Sequence, residues 1–302
     1  MNRRFRLAVA ACCLFTLPVL FAIGCGEDAK ETTHEETPEK AVTTKPSAHQ
    51  PSSQEAALHK PAPHETGLDG KPTPDEAIAI LKEGNKRFVE GKSTRPHTDS
   101  ARLMQAGKEN QGDHAYATVI TCSDSRVPVE HIFDAGVMDI FVIRVAGNVC
   151  DVDERGSIEY GLAHVHTPVL VVLGHTQCGA VTAVTHAIHG TGHALERNIP
   201  PLVDNIEPAV RRAMAKHPDA HGDEIIPYAI EENIWQGIED LFMNSPATRD
   251  LVNSGAAKVV GAMYDVGTGK VDWLPESKVS DILVKVEANA KRAMKPMAPA
   301  AH

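Results

Sequence analysis

Three side chains in this sequence could hold one soft metal ion between them: Cys122, His175 and Cys178. They stand in Thr121-Cys122-Ser123-Asp124-Ser125-Arg126-Val127-Pro128 and in Gly174-His175-Thr176-Gln177-Cys178-Gly179-Ala180. Two thiolates and one imidazole suit Zn²⁺. Three protein ligands leave the fourth tetrahedral position open, the pattern of a zinc that does chemistry on water rather than one that staples a fold. The alternatives are two core cysteines with a capping histidine, or a structural zinc, which needs a fourth protein ligand. The spacing Cys-x₅₂-His-x₂-Cys means that the fold, not a local loop, must assemble the site.

Asp124 and Arg126 follow the first cysteine at steps of two. In an extended loop, alternation would put Cys122, Asp124 and Arg126 on one side. The carboxylate could then accept a hydrogen bond from an oxygen at the open metal position. Arg126 could hold it ionised and oriented through a bidentate pair. The competing reading is an exposed ion pair of little energetic weight.

Short apolar runs predict the elements that must position these residues. Residues 117–122, 140–145, 168–174 and 259–265 read as strands buried on both faces. Helical patterns fall between and around them, at 157–164, 180–189, 201–216 and 225–244, with a first helix opening near Thr73-Pro74-Asp75. Strands alternating with helices predict an α/β fold with a mostly parallel central sheet flanked by helices. Cys122 and His175 then fall at strand carboxyl ends and Cys178 at the start of a helix, where open α/β sheets place their sites.

Of 302 residues, 42% are hydrophobic and 23% charged, enough for a packed core. The aromatic content of 4% and net charge of −10 argue against a nucleic-acid partner. Arg3, Arg4 and Arg6 precede an uncharged stretch from Leu7 to Gly24, then Cys25 and the acidic Glu27-Asp28. This predicts a signal peptide over 1–24 with Cys25 as the lipidated residue, although Ala22 stands where a lipobox usually has Leu. An uncleaved membrane anchor is the other reading. Either places the folded part outside the cytoplasm, on the periplasmic side or the cell surface, tied to a membrane. Residues 25–72, rich in Pro, Thr and Glu, predict a disordered tether. The catalytic domain is then 73–290, with a flexible tail over 291–302. Only Cys150 remains after the proposed ligands, the lipidation candidate and the signal cysteines, so no disulfide framework can be drawn.

With these motifs in hand, the chain resembles the β-class carbonic anhydrases over roughly residues 74–275. The resemblance is carried by Cys122 to Pro128, by Arg144-Val145-Ala146-Gly147-Asn148, by Gly156 to Tyr160, and by Gly174 to Ala180. Tyr264-Asp265 with Gly269-Lys270-Val271 resembles the family's last hairpin. It implies one zinc per subunit, reversible hydration of CO₂ to bicarbonate and a proton by zinc-bound hydroxide, and a homodimer or higher homo-oligomer. It implies the orienting role for the Asp124–Arg126 pair, and a second state in which the Asp itself ligates the metal. Gln111 resembles the family's substrate-orienting glutamine, contributed near a subunit interface. Gly179 is placed either to donate its backbone N–H near the metal or to make a tight turn.

Overall fold

The computed structural model describes residues 70–295. The signal read at 1–24, Cys25 and nearly all of the tether lie outside the described residues.

The helices begin where side chains can cap them. Thr73 caps α1 (Pro74–Val89): its N–H donates to Glu76 Oε2 at 2.8 Å and its hydroxyl accepts from the Glu76 amide, with Pro74 at the first helical position. After α2 (Ser100–Ala106) come β1 (Ala117–Thr121), α3 (Val129–Ile132) and β2 (Ile140–Arg144). α4 (Val152–Ala163) starts five residues earlier than the apolar pattern predicts, because Asp151 and Glu154 form a capping box. Next are β3 (Val169–His175) and α5 (Gly179–Ile188). The single helix expected over 201–216 is two, α6 (Ile199–Val203) and α7 (Glu207–Lys216). Pro208 cannot continue a helix from before it, since it has no N–H and its ring crowds the preceding turn. It is instead accommodated in the first turn of α7. α8 (Ile226–Asn244), α9 (Pro246–Asn253), β4 (Lys258–Tyr264), β5 (Val271–Trp273) and α10 (Glu276–Glu287) complete the order.

The sheet runs β2-β1-β3-β4-β5. All pairs are parallel except β4 with β5. The period-2 alternation of strand side chains builds two cores. Val119, Val169, Val171, Leu173 and Val260 pack on one face with Ala77, Ile78 and Leu81 of α1 and Ile132 of α3. Ile120, Leu170, Val172 and Val259 pack on the other with Ile158 of α4, Ile234 and Ile238 of α8, and Val279 of α10. A third cluster, including Val149, Val181, Ile206 and Ile230, surrounds Cys122 and Cys178. The chain steps from β1 outward to β2 and back to β3 on the other side of β1, so the switch in strand order lies at the carboxyl ends of β1 and β3.

Two expected boundaries shift. The tether was expected to run to residue 72, but Lys71 is buried and its ammonium donates to the Val165 carbonyl at 2.6 Å, so the packed part already includes it. The flexible tail was expected from residue 291, but the Ala293 N–H donates to the Met243 carbonyl and Arg249 donates to the Ala293 carbonyl. Those two hydrogen bonds, one from the backbone and one from the Arg249 side chain, pin the chain through Ala293. Among the described residues no helix is long and apolar enough to cross a membrane.

Candidate metal centre

Adjacent parallel strands bring the ligands together. Thr121 of β1 pairs with Leu173 of β3, so Cys122, one residue past β1, and His175, at the end of β3, emerge at the same edge. Cys178 is the N-cap of α5, reached through Gln177 in the left-handed region at φ 58°. All three are buried, and the two sulfurs and the ring nitrogen lie within 4.8 Å of one another. Gly174 must be glycine for this approach, since a Cβ there would stand 2.7 Å from Ile234 of α8.

The hydrogen bonds fix the state of the imidazole. His175 Nδ1 lies 2.9 Å from the Thr176 carbonyl, which can only accept, so Nδ1 carries the proton. Nε2 is the nitrogen left to offer a lone pair to a metal, and it is buried with no hydrogen-bond partner. A buried acceptor left without a donor is costly, and a metal ion is what relieves it. The donor set of two thiols and one neutral imidazole fits zinc. The Gly147 N–H donates to Cys122 Sγ at 3.2 Å. The neighbouring Cys178 thiol above all, with the adjacent His175 ring and the Gly147 N–H, holds the Cys122 thiol well below its ordinary value against the opposing effect of burial. The contact with Cys122, together with burial, pushes the Cys178 thiol up. The two neighbouring thiols are thus pushed in opposite directions.

Asp124 and Arg126 form the expected bidentate pair, with Nε to Oδ1 at 2.9 Å and Nη2 to Oδ2 at 2.7 Å. The guanidinium holds the Asp124 carboxyl well below the usual carboxylate range. The extended loop expected here is instead a turn. The Val127 N–H donates to the Asp124 carbonyl and the Arg126 N–H to Asp124 Oδ1. A short polar side chain that accepts from the backbone two residues on favours such a turn over an extended strand. The dyad is thus made by turn geometry rather than by alternation. With its carboxylate on Arg126, Asp124 stands outside the group formed by the three metal-ligand atoms.

A protein-family model for carbonic anhydrase matches residues 117–271, which include every ligand and the dyad. The chain belongs to the carbonic anhydrase family. It is 34% identical over 199 residues to the carbonic anhydrase of Mycolicibacterium smegmatis, covering 66% of this chain and 92% of that protein. It is 34% identical over 197 residues to carbonic anhydrase 2 of Mycobacterium tuberculosis, covering 65% and 91%. Among solved structures, the β-carbonic anhydrase CcaA superposes with a TM-score of 0.51 at 26% identity, over 66% of this chain and 92% of that one. The β-carbonic anhydrase CafA of Aspergillus fumigatus, at 24% identity and a TM-score of 0.52 over 71% and 99%, shares the fold.

The structure places the remaining predicted residues of this carbonic anhydrase in two different regions. Gly179 opens α5 beside Cys178, exposed, with nothing within 4 Å of where a Cβ would stand. Gln111 is exposed in a short 3₁₀ turn (Gln111–Asp113) before β1, close to the end of α4. That is the amino edge of the sheet, while Cys122 lies at the carboxyl edge, so one chain does not bring Gln111 to the metal ligands.

Other contributors escaped the sequence reading as individual site residues. Arg144 bonds the carbonyls of Cys122 and Asp124 at 3.2 and 2.6 Å, and Arg126 also donates to the Gln177 carbonyl at 3.1 Å. These contacts tie the two motif loops and β2 together. The available signal was a basic residue at the carboxyl end of a strand predicted beside the first ligand.

Proposed function

We propose that this chain hydrates CO₂ reversibly to bicarbonate and a proton, with one zinc per subunit held by Cys122, His175 and Cys178. The observation that carries the reading is the orphaned His175 Nε2 facing two buried sulfurs beside an intact Asp–Arg pair. Zinc, when bound there, supplies Lewis acidity that makes hydroxide available from water at neutral pH.

The chain's own groups do the orienting. Arg126 donates twice to Oδ1 of Asp124, through its backbone N–H and Nε, and once to Oδ2, which keeps the carboxylate ionised and leaves Oδ2 free to accept a hydrogen bond from the attacking nucleophile. A neutral Asp124 would offer a competing donor instead. Arg144 holds the backbone of both Cys122 and Asp124, so ligand and acceptor keep a common register. The Gly179 N–H, at the start of α5, would donate to the product anion. Gln111 would orient substrate from a second copy of the chain, because it lies at the other edge of its own sheet.

A homo-oligomer is therefore part of the proposal. The β-carbonic anhydrases of Sordaria macrospora, which share the fold at 23% identity, are described as tetrameric. Leu103, Met104, Val152 and Tyr160 expose apolar surface here that a second copy could cover. Export and anchoring through a lipidated Cys25 complete the reading, on the basic, apolar and small-residue order of the first 25 residues.

Metal content and stopped-flow CO₂ hydration on the purified protein test the core of this. The expected result is about one zinc per chain, activity abolished by chelation and restored by zinc. An Asp124→Ala variant should keep its zinc and lose roughly 10–100-fold in kcat. A zinc-loaded wild-type protein that does not accelerate CO₂ hydration overturns the proposal.

A further inference from the structure

The backbone amide on Cys122 is held from a distance. Gly147 lies in the turn after β2, at φ 75° and ψ 15°, and Asn148 follows at φ 43°. Glycine adopts the left-handed region freely, but Asn148 is there at a cost and persists only where the surroundings hold it. Here the turn is held on both sides of the Gly147 peptide units. The Gly147 N–H donates to Cys122 Sγ at 3.2 Å, and the Gly147 carbonyl accepts from Asn233 Nδ2 at 2.7 Å, a buried bond across 86 residues. A Cβ at 147 would stand 2.6 Å from Ile206 Cδ1 and 3.1 Å from the Ala180 side chain, so Ile206 and α5 press close against the turn and leave no room for a side chain there.

Asn233 is itself rigidly mounted. It is 2% exposed, on α8. The preceding Glu232 is bridged to Lys216 Nζ at 2.6 Å and to Arg212 Nε at 3.3 Å, which fastens this part of α8 to α7. The following Ile234 packs on Gly174 beside His175. Asn233 is the one buried amide side chain on this stretch that reaches the turn carrying the donor to Cys122.

We infer that Asn233 is a positioning residue for the metal centre: it fixes the Gly147 peptide so that its N–H stays on the Cys122 sulfur and limits electron donation from that sulfur to the metal. The inference rests on the zinc reading above. Two thiolates give more charge to a metal than imidazoles do and make it a weaker Lewis acid. A hydrogen bond to one sulfur draws part of that charge back, and hydrogen bonds to ligand sulfurs tune a metal in this way. The effect passes from a side chain on α8, through one peptide, to a ligand at the end of β1. No contact between Asn233 and substrate is needed.

The test is an Asn233→Leu variant, which keeps the branched four-atom side-chain skeleton and removes the donor, with Asn233→Gln, which keeps an amide but displaces it. The zinc enzyme is assayed for kcat and KM, and the Co²⁺-substituted protein for its sulfur-to-cobalt charge-transfer band. With the N–H no longer on Cys122, the sulfur levels rise and the band moves to longer wavelength, more in Asn233→Leu than in Asn233→Gln. kcat falls by roughly tenfold while KM stays near the wild-type value. Ile238→Val, a buried α8 change that leaves the Asn233 amide in place, should soften the fold without moving the band. A band unmoved in a folded Asn233→Leu protein overturns the inference. So does a matching shift in Ile238→Val. If neither Asn233 variant folds, ¹¹³Cd-substituted wild type decides: the Gly147 amide proton should couple to cadmium through the sulfur, and a signal without coupling overturns it. A wild-type protein inactive with zinc would instead sink the functional reading, and the cobalt and cadmium spectra would still judge the Asn233 link.

Discussion

Zinc uptake by the metal-free protein should expel one proton from the cysteine pair, not two, across about pH 7 to 9. The two sulfurs lie within 4.8 Å. Two unit charges at that distance repel by about 3.5 kcal/mol or more at an effective dielectric of about 20, or roughly 2.5 pK units. The pair therefore loses its first proton easily and its second with difficulty. Cys122, beside the Cys178 thiol, the His175 ring and the Gly147 N–H, is drawn well down. Cys178, donating to that thiolate and buried, is pushed up. Within this window one sulfur is already ionised and the other still protonated. Zinc requires both as thiolates, so binding must displace the remaining proton. The sign follows: affinity rises with pH and falls as pH drops, by about tenfold or 1.4 kcal/mol per unit. Competition against a chromophoric chelator at several pH values reads the slope once the chelator's own protonation is subtracted. Calorimetry in buffers of different ionisation enthalpy counts the proton directly. A hundredfold change per unit would mean that both thiols are protonated in the metal-free protein. A flat profile would mean that neither is. Each outcome refutes this one-proton description.

The two glycines near the ligands should respond oppositely to alanine. Gly147→Ala puts a side chain at φ 75° and 2.6 Å from Ile206 Cδ1, and should cost about 2–5 kcal/mol in urea unfolding of the metal-free protein, from left-handed strain plus overpacking. Gly179→Ala meets nothing within 4 Å and should stay within about 0.5 kcal/mol of wild type; equal losses at both positions would remove the steric argument. In a bacterial host, wild type should incorporate labelled fatty acid and fractionate with membranes, and Cys25→Ser should do neither. A Cys25→Ser protein still held firmly in the membrane would favour the uncleaved-anchor reading of residues 7–24 over the lipid.

Why the metal ligands were legible and their supports were not follows from what each one uses. Cys122, His175 and Cys178 act through side-chain chemistry that few residue types possess, and the runs Ala117–Thr121 and Val169–His175 are apolar because both faces of the sheet are covered. Those two signals are local, and together they predict a site at the strand ends. The early start of α4 could also have been read locally, from the capping residues Asp151 and Glu154 that the apolar pattern ignored. The split between α6 and α7 had its local mark in Pro208. The supports differ in kind. Cys122 receives a hydrogen bond from the backbone amide of residue 147, and every residue but proline has such an amide. Its only trace in the sequence is that residue 147 is Gly, which the positive φ and the approach of Ile206 both require. Asn233 is harder still. Within α8 it is one polar residue among Glu231, Glu232 and Gln236 on a helix whose apolar positions dominate the pattern. Nothing in the spacing connects it to a turn 86 residues earlier. Such a link becomes visible only when the fold closes, because it depends on where α8 crosses the sheet. The same holds for Gln111, whose distance from the ligands is set by the direction of β1 and whose proposed role depends on a second chain. Ligand identity is a property of residue types. The orientation and electronic tuning of those ligands are properties of backbone placement, which the sequence specifies only through the whole fold.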